Sequence, residues 1–225
     1  MAKDASRIFR RLPGWSCQEE VVFKADGRSR VWLARDGEGV GWVVKRFEHE
    51  VVRQRLAWGL GVHPAQREAR GARRLVRAGI AVVPVVGLGM EGGRGWLMTR
   101  WVGDSVQRVV SRGGLSVEAM ERLMMGLGRL AGGLLAAGWW NRDHKASNHV
   151  MDGDEGLWMI DVGGVRPRLG RERRPVLAMA GMLEETLEAD LGRGLTERER
   201  AMFLSGLGEV DPGAIAVLRG RWGTL

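Results

Sequence analysis

The chain has 225 residues and a formal net charge of +8, long enough to bury a core without covalent staples. Its single cysteine, Cys17, excludes a disulfide framework and a cysteine metal cluster, and no apolar run approaches the ~20 residues of a membrane span. The positive balance draws anions such as phosphorylated sugars or acidic lipid head groups, but zinc-finger spacing, RNA-binding aromatic motifs and a basic zipper are missing, so no specific nucleic-acid partner is expected.

Residues 1–15 are basic, broken by Pro13 and Gly14, and lack the apolar stretch of a secretion signal; a cytoplasmic protein is expected. Strands are predicted at 20–24, 30–35 and 41–47, joined by Ala25-Asp26-Gly27-Arg28-Ser29 and by Asp36-Gly37-Glu38-Gly39. A short helix is predicted over 50–58. A longer one runs from Pro64 to Ala78 and is stopped by Gly79. On its wheel Arg67, Arg70, Arg73, Arg74 and Arg77 take one side, and Ala65, Ala72, Leu75 and Val76 the other. Glu68 falls in the middle of the apolar side, where a carboxylate needs a partner. Two strands follow, at 83–87 and 95–101, then a connection over 103–114. From Ser116, an N-cap, a long helix reaches Ala137 on a stripe of Met120, Leu123, Met124, Leu127, Leu130, Ala131 and Leu134. A hairpin of 148–151 and 157–160 turns at Asp152-Gly153-Asp154-Glu155-Gly156, and helices close the chain at 176–191, 196–207 and 212–221. A small antiparallel sheet with one main helix, followed by a mostly helical part, is an α+β architecture.

Against thirty-one arginines there are only four lysines, and only two asparagines. A lysine kept in such a background marks a position that needs a compact ammonium rather than a planar fork. Lys45 shares a strand face with Val43 and Phe47. It is the electrostatic mirror of Glu68: paired, each neutralises the other, and the ammonium can reach nucleotide phosphates. Lys145 and both asparagines fall in Asn141-Arg142-Asp143-His144-Lys145-Ala146-Ser147-Asn148. Asp143 suits a base that orients an attacking hydroxyl and takes its proton. Asn148, with Asp161 of Ile160-Asp161-Val162-Gly163, offers hard oxygen ligands for Mg²⁺. Lys145 can place positive charge on the migrating group. Lysine, Asp-x4-Asn and Asp-x-Gly in that order are the parts of a phosphoryl-transfer site.

With these residues the chain resembles the protein-kinase-like superfamily over roughly residues 18–205. Val43-Val44-Lys45 is similar to the strand carrying the ATP lysine, Glu68 to its helix partner, Arg142-Asp143-x4-Asn148 to the catalytic loop, and Asp161-Val162-Gly163 to the metal-binding motif. Arg100-Trp101-Val102 falls where the hinge contacts adenine, which makes Arg100 and Val102 candidate nucleotide contacts. Within the superfamily the chain most resembles the bacterial lipopolysaccharide core kinases, which phosphorylate Kdo or heptose sugars. The Arg67-Glu68-Ala69-Arg70-Gly71-Ala72-Arg73-Arg74-Leu75 helix and the Val82-Val83-Pro84 that follows carry that closer likeness. The resemblance implies a bilobal fold, with residues 1–102 as a small N-lobe and 103–225 as a helical C-lobe. It implies ATP and Mg²⁺ as cofactors, an anionic sugar or glycolipid as acceptor, and room for peripheral contact at the inner membrane surface.

Several positions depart from the superfamily pattern. Asn141 stands where many kinases have His, Val162 replaces Phe, and no Ala-Pro-Glu follows. In place of Gly-x-Gly-x-x-Gly there is one glycine, Gly27; backbone N–H groups near Gly27 and Ser29 remain to cap phosphates. The segment 163–174 is short and carries Arg166, Arg168, Arg171, Arg173 and Arg174, which leaves little room for a peptide platform and favours a compact anionic acceptor. Other acceptors on the same fold, and a nucleotide-binding pseudokinase, are the alternatives.

Overall fold

Strand alternation and helix period build two units. The computed structural model describes residues 21–153, 156–168 and 173–222. Cys17, the basic residues 1–15, Glu20, Asp154, Glu155 and Arg171 lie outside them. One unit holds the described residues through Val76 together with Val83–Val102; the other holds Arg77–Val82 and the described residues from Gly103 on.

The first unit is an antiparallel sheet of β1 (Val21–Ala25), β2 (Ser29–Arg35), β3 (Gly41–Phe47), β4 (Val85–Glu91) and β5 (Arg94–Arg100), in the order β1-β2-β3-β5-β4. Val44 lies opposite Trp32 on one neighbour and Met98 on the other. Those three, with Ala34 and Trp96, form the core of one face. Lys45 lies opposite Val31 and Leu97 and so belongs to the other face. There Phe47 and Leu97 pack with Ala65, and Trp58, Val85 and Leu88 close over them. Helix α1 is Val51–Gly59 and α2 is Pro64–Arg77. Helix α2 buries Ala65, Glu68, Ala69, Ala72 and Leu75. Its five arginines are exposed as the wheel requires, but Val76 is exposed as well, at 44%.

Strand β4 starts and ends later than the 83–87 expected. Gly87 and Gly89 read as a strand end, yet the chain continues, because the Trp96 indole lies against this strand. A Cβ on Gly89 would collide with that indole, so the glycine admits the neighbouring ring rather than making a turn.

The second unit is mostly helical: α3 (Val106–Ser111), α4 (Val117–Ala136), α5 (Arg173–Leu191), α6 (Glu197–Val210) and α7 (Pro212–Trp222). Ser116 caps α4 by accepting from the Ala119 N–H at 3.2 Å, and every residue of the predicted α4 stripe is buried. Thr196 and Glu199 form a reciprocal capping box on α6. Helices α4 and α6 meet backbone to backbone: a Cβ on Gly206 would collide with the Met125 carbonyl, and one on Gly128 with that of Phe203. The expected connection over 103–114 contains α3, capped by Ser105; its two buried valines, Val106 and Val110, are too few to show a period. Two small sheets complete the unit, β6 (Trp139–Asn141) with β9 (Val165–Pro167) and β7 (His149–Asp152) with β8 (Gly156–Met159). The architecture is α+β, as the sequence implies. Among the described residues no helix is long and apolar enough to cross a membrane.

Candidate active site

In the first unit the predicted pair is formed. Lys45 Nζ donates to Glu68 Oε2 at 2.9 Å, with side chains 14% and 9% exposed. Strand parity turns Lys45 toward the face that α2 covers, and the helix period turns Glu68 back at it. The ammonium also lies 5.4 Å from the centre of the Phe47 ring. Gly27 sits at the tip of the β1–β2 turn with nothing within 4 Å of where a Cβ would be. Ser29 is buried, and its N–H donates to Asp26 Oδ1 at 2.7 Å, as the Arg28 N–H does at 2.8 Å. Asp26 thus closes the turn on itself. Its carboxyl is lowered to about 2, first by hydrogen bonding to Lys24 and then by the Ser29 and Arg28 amides. Arg100 ends β5, exposed, and Val102 is half-buried. The intervening Trp101 donates its backbone N–H to Gly41 O at 2.9 Å, and its ring stacks on Phe23 at 5.4 Å.

In the second unit, β6 delivers the chain into a loop that folds around Asp143. Asn141, fully buried, accepts the Asp143 N–H at 3.1 Å and donates to the Asp143 carbonyl at 3.4 Å. From the far end of the loop, Asn148 Nδ2 donates to the Asp143 carbonyl at 2.8 Å and to its carboxylate Oδ2 at 3.2 Å. Lys145 Nζ stands 3.2 Å from the other carboxylate oxygen. The Asp143 side chain is 42% exposed, so the carboxylate is fixed from behind and open in front. Asp161 reaches the same neighbourhood through the backbone: Ile160 N donates to Asn148 O at 2.9 Å, and Arg142 N donates to Gly164 O at 3.3 Å. Asp161 has φ +50, the one non-glycine left-handed residue among those described. Such strain persists only where surrounding contacts hold it, and it clusters at functional sites.

The model of the lipopolysaccharide kinase (Kdo/WaaP) family matches residues 14–206. The chain belongs to that family. Members of this kinase family phosphorylate sugars of the lipopolysaccharide core and use ATP to do so. No curated protein matches the chain.

Within this lipopolysaccharide kinase, the donor set in the Asp143 region suits Mg²⁺. The Asn148 amide nitrogen is engaged by Asp143, which leaves its oxygen as the candidate ligand atom. Among the described residues no group of three or more His, Cys, Asp or Glu could hold a metal. Asn148 and Asp161 would offer one amide and one carboxylate oxygen to an ion that takes its other oxygens from phosphates and water, as Mg²⁺ does.

Some supporting residues have no local sequence signal. Thr186 of α5 accepts the Ala146 N–H at 3.1 Å, tying the kinase loop to a helix forty residues away. His149 Nδ1 donates to the Lys145 carbonyl at 2.9 Å, and its ring meets His144 edge to face at 4.5 Å. Both imidazoles are fully buried. Burial pushes His144 well below its ordinary value of 6.5 and takes His149 down to about 4. The basic segment is less available than its composition implies. Arg166 donates to Gly163 O and Val165 O at 3.1 and 2.8 Å. Arg168, 11% exposed, pairs with Asp211 at 2.9 Å. Arg173 and Arg174 are exposed at the start of α5.

Proposed function

We propose that this kinase transfers the γ-phosphate of ATP to a hydroxyl of an anionic sugar in the lipopolysaccharide core, with Asp143 as the base. The observation that carries the reading is the double hold on Asp143 from Asn141 and Asn148 with its carboxylate left accessible. The acceptor oxygen attacks phosphorus, its proton passes to the Asp143 carboxylate, and the bond to the β-phosphate oxygen breaks to release ADP. Lys145 sets positive charge beside the transferred group, and Lys45, steadied by Glu68, anchors the ATP phosphates. Asn148 and Asp161 would hold Mg²⁺, whose chemistry when bound is to neutralise charge across the phosphates. The backbone at Gly27 and Ser29 is assigned to phosphate contact, which for the Ser29 N–H requires release from Asp26, and Arg100 and Val102 to the base. Residues 1–102 and 103–225 are read as N-lobe and C-lobe. The exposed Arg173 and Arg174 suit an acidic sugar. A membrane-borne glycolipid acceptor entails work on the cytoplasmic side with peripheral membrane contact.

A panel of core sugars tests the acceptor. Phosphate from labelled ATP should appear on a Kdo- or heptose-containing acceptor and not on peptides. Transfer to peptide with none to any core sugar would overturn the sugar assignment.

A further inference from the structure

Helix α1 turns Trp58 and the polar Gln54 toward the sheet. Its buried side chain is Gln54, 2% exposed. The Gln54 amide donates to Phe47 O at 3.0 Å and His49 O at 2.6 Å. Its oxygen accepts the Gly95 N–H at 2.9 Å and lies 3.0 Å from His63 Nε2. A polar anchor therefore fastens the helix to the sheet. On the opposite side Val52, Leu56 and Leu60, one helical turn apart, are 63%, 66% and 77% exposed, and Val62 just beyond is 55% exposed. Ten large hydrophobics are exposed among the described residues, and these four fall within eleven positions. Scattered exposed aliphatics need no explanation, but a continuous stripe marks a surface that something covers.

Charge beside the stripe says what covers it. With about 100° between successive helical residues, Arg53 and Arg55 flank the stripe on its two sides, and both are exposed. Helix α2 adds Arg67, Arg70 and Arg74, exposed on one side of that helix, and Arg70 Nη2 donates to Gly61 O at 2.6 Å, in the turn that carries Leu60 and Val62. The one acid of α2, Glu68, faces the other way, toward Lys45. Glu50, before α1, is the acid nearest the stripe in sequence.

We propose that this face docks the first unit on an anionic phospholipid surface. The four aliphatics enter the acyl boundary, and Arg53, Arg55, Arg67, Arg70 and Arg74 meet lipid phosphates, the arrangement of an interfacial amphipathic helix. Nucleic acid would satisfy the arginines but leave the aliphatic stripe in water. Two-fold pairing with a second copy would bring the arginine flanks against one another. The inference draws on the proposed glycolipid acceptor only for the choice of membrane; the surface itself is independent of the transfer chemistry.

The test sediments the full chain, without ATP or acceptor, with vesicles of phosphatidylethanolamine and phosphatidylglycerol or of phosphatidylcholine alone. Binding to the anionic vesicles, absent on the neutral ones and weakened by salt, is expected. Leu56→Glu with Leu60→Glu should cut partitioning at least about tenfold, with unchanged melting and unchanged transfer to a soluble core sugar. Arg67→Gln, Arg70→Gln and Arg74→Gln together should weaken binding and flatten its salt dependence. Failure of the unmodified chain to bind anionic vesicles, equal binding by the double Glu variant, or a stripe that serves only dimerisation or RNA capture would overturn the proposal. Loss of kinase activity with vesicle binding intact would strike the transfer reading alone.

Discussion

Asn148 reaches back five residues to hold Asp143, donating to its carbonyl at 2.8 Å and to its carboxylate at 3.2 Å. One amide thus sets the position of the proposed base, and its remaining oxygen is the one proposed for Mg²⁺. Asn148→Ala removes both functions. Turnover should fall by roughly 10²–10³-fold, and the Mg²⁺ concentration for half-maximal rate should rise. The two lost hydrogen bonds, one of them to a carboxylate, should lower stability by about 2–3 kcal/mol. Steady-state kinetics against Mg²⁺, alongside thermal unfolding, separate the two effects.

The Lys45–Glu68 pair at 2.9 Å makes a different prediction, because both partners are largely buried. Glu68→Ala removes the largely buried carboxylate that accepts from Lys45 and should cost about 3 kcal/mol of stability. Lys45→Met with Glu68→Leu removes both charges and should regain most of that stability, since an apolar pair of similar volume replaces a desolvated one. ATP affinity should stay low in the double variant. Recovery of both stability and ATP affinity would show that the pair serves structure alone.

Asp26 places a fixed negative charge on the turn assigned to phosphate. Its carboxylate takes the amides of Arg28 and Ser29, and with its value held at about 2 it is ionised throughout the neutral range. Asp26→Gly frees both N–H groups and removes the charge. The KM for ATP should drop several-fold with kcat little changed, the behaviour of improved ground-state binding. An unchanged KM would place the phosphates away from Gly27 and Ser29.

The buried pair His144 and His149 sets an acid limit on stability. Both are shifted down by burial, His149 to about 4. Below the ordinary value of 6.5 the unfolded chain takes up protons that the folded chain refuses, so stability falls as pH drops from 6.5 toward 4 and is unaffected above that window. Melting temperature measured across this range should fall with acid. His144→Leu with His149→Phe should flatten the dependence.

The pairing of Lys45 with Glu68 was legible because each half rests on a local period, two along a strand and 3.6 along a helix. The same holds for the α4 stripe and for the order of the strands in the chain. What escaped was non-local. Gly87 and Gly89 look like a strand end until Trp96 is laid beside them. Strand β9, three residues long, exists because Asn141 and its neighbours pair with it. Arg166 and Arg168 read as acceptor contacts, yet backbone carbonyls and Asp211 take them. The polar anchoring of α1 depends on Gln54 meeting Phe47, His49, His63 and Gly95, none of which its own sequence announces. In the Asp143 loop the motif spacing singled out Asp143, Lys145 and Asn148, which the fold brings together, while the contacts that Asn141 and Thr186 make to hold the loop are visible only in three dimensions.

The most direct measurement compares the unmodified chain with Asp143→Ala for γ-phosphate transfer from ATP to a core-sugar acceptor, with ATP affinity measured by calorimetry on both. Transfer should fall by at least about 10³-fold while ATP binding stays within a few-fold, as expected when a base is lost but the nucleotide anchor is kept. Turnover by Asp143→Ala equal to that of the unmodified chain would contradict the assignment of the base, and with it the mechanism.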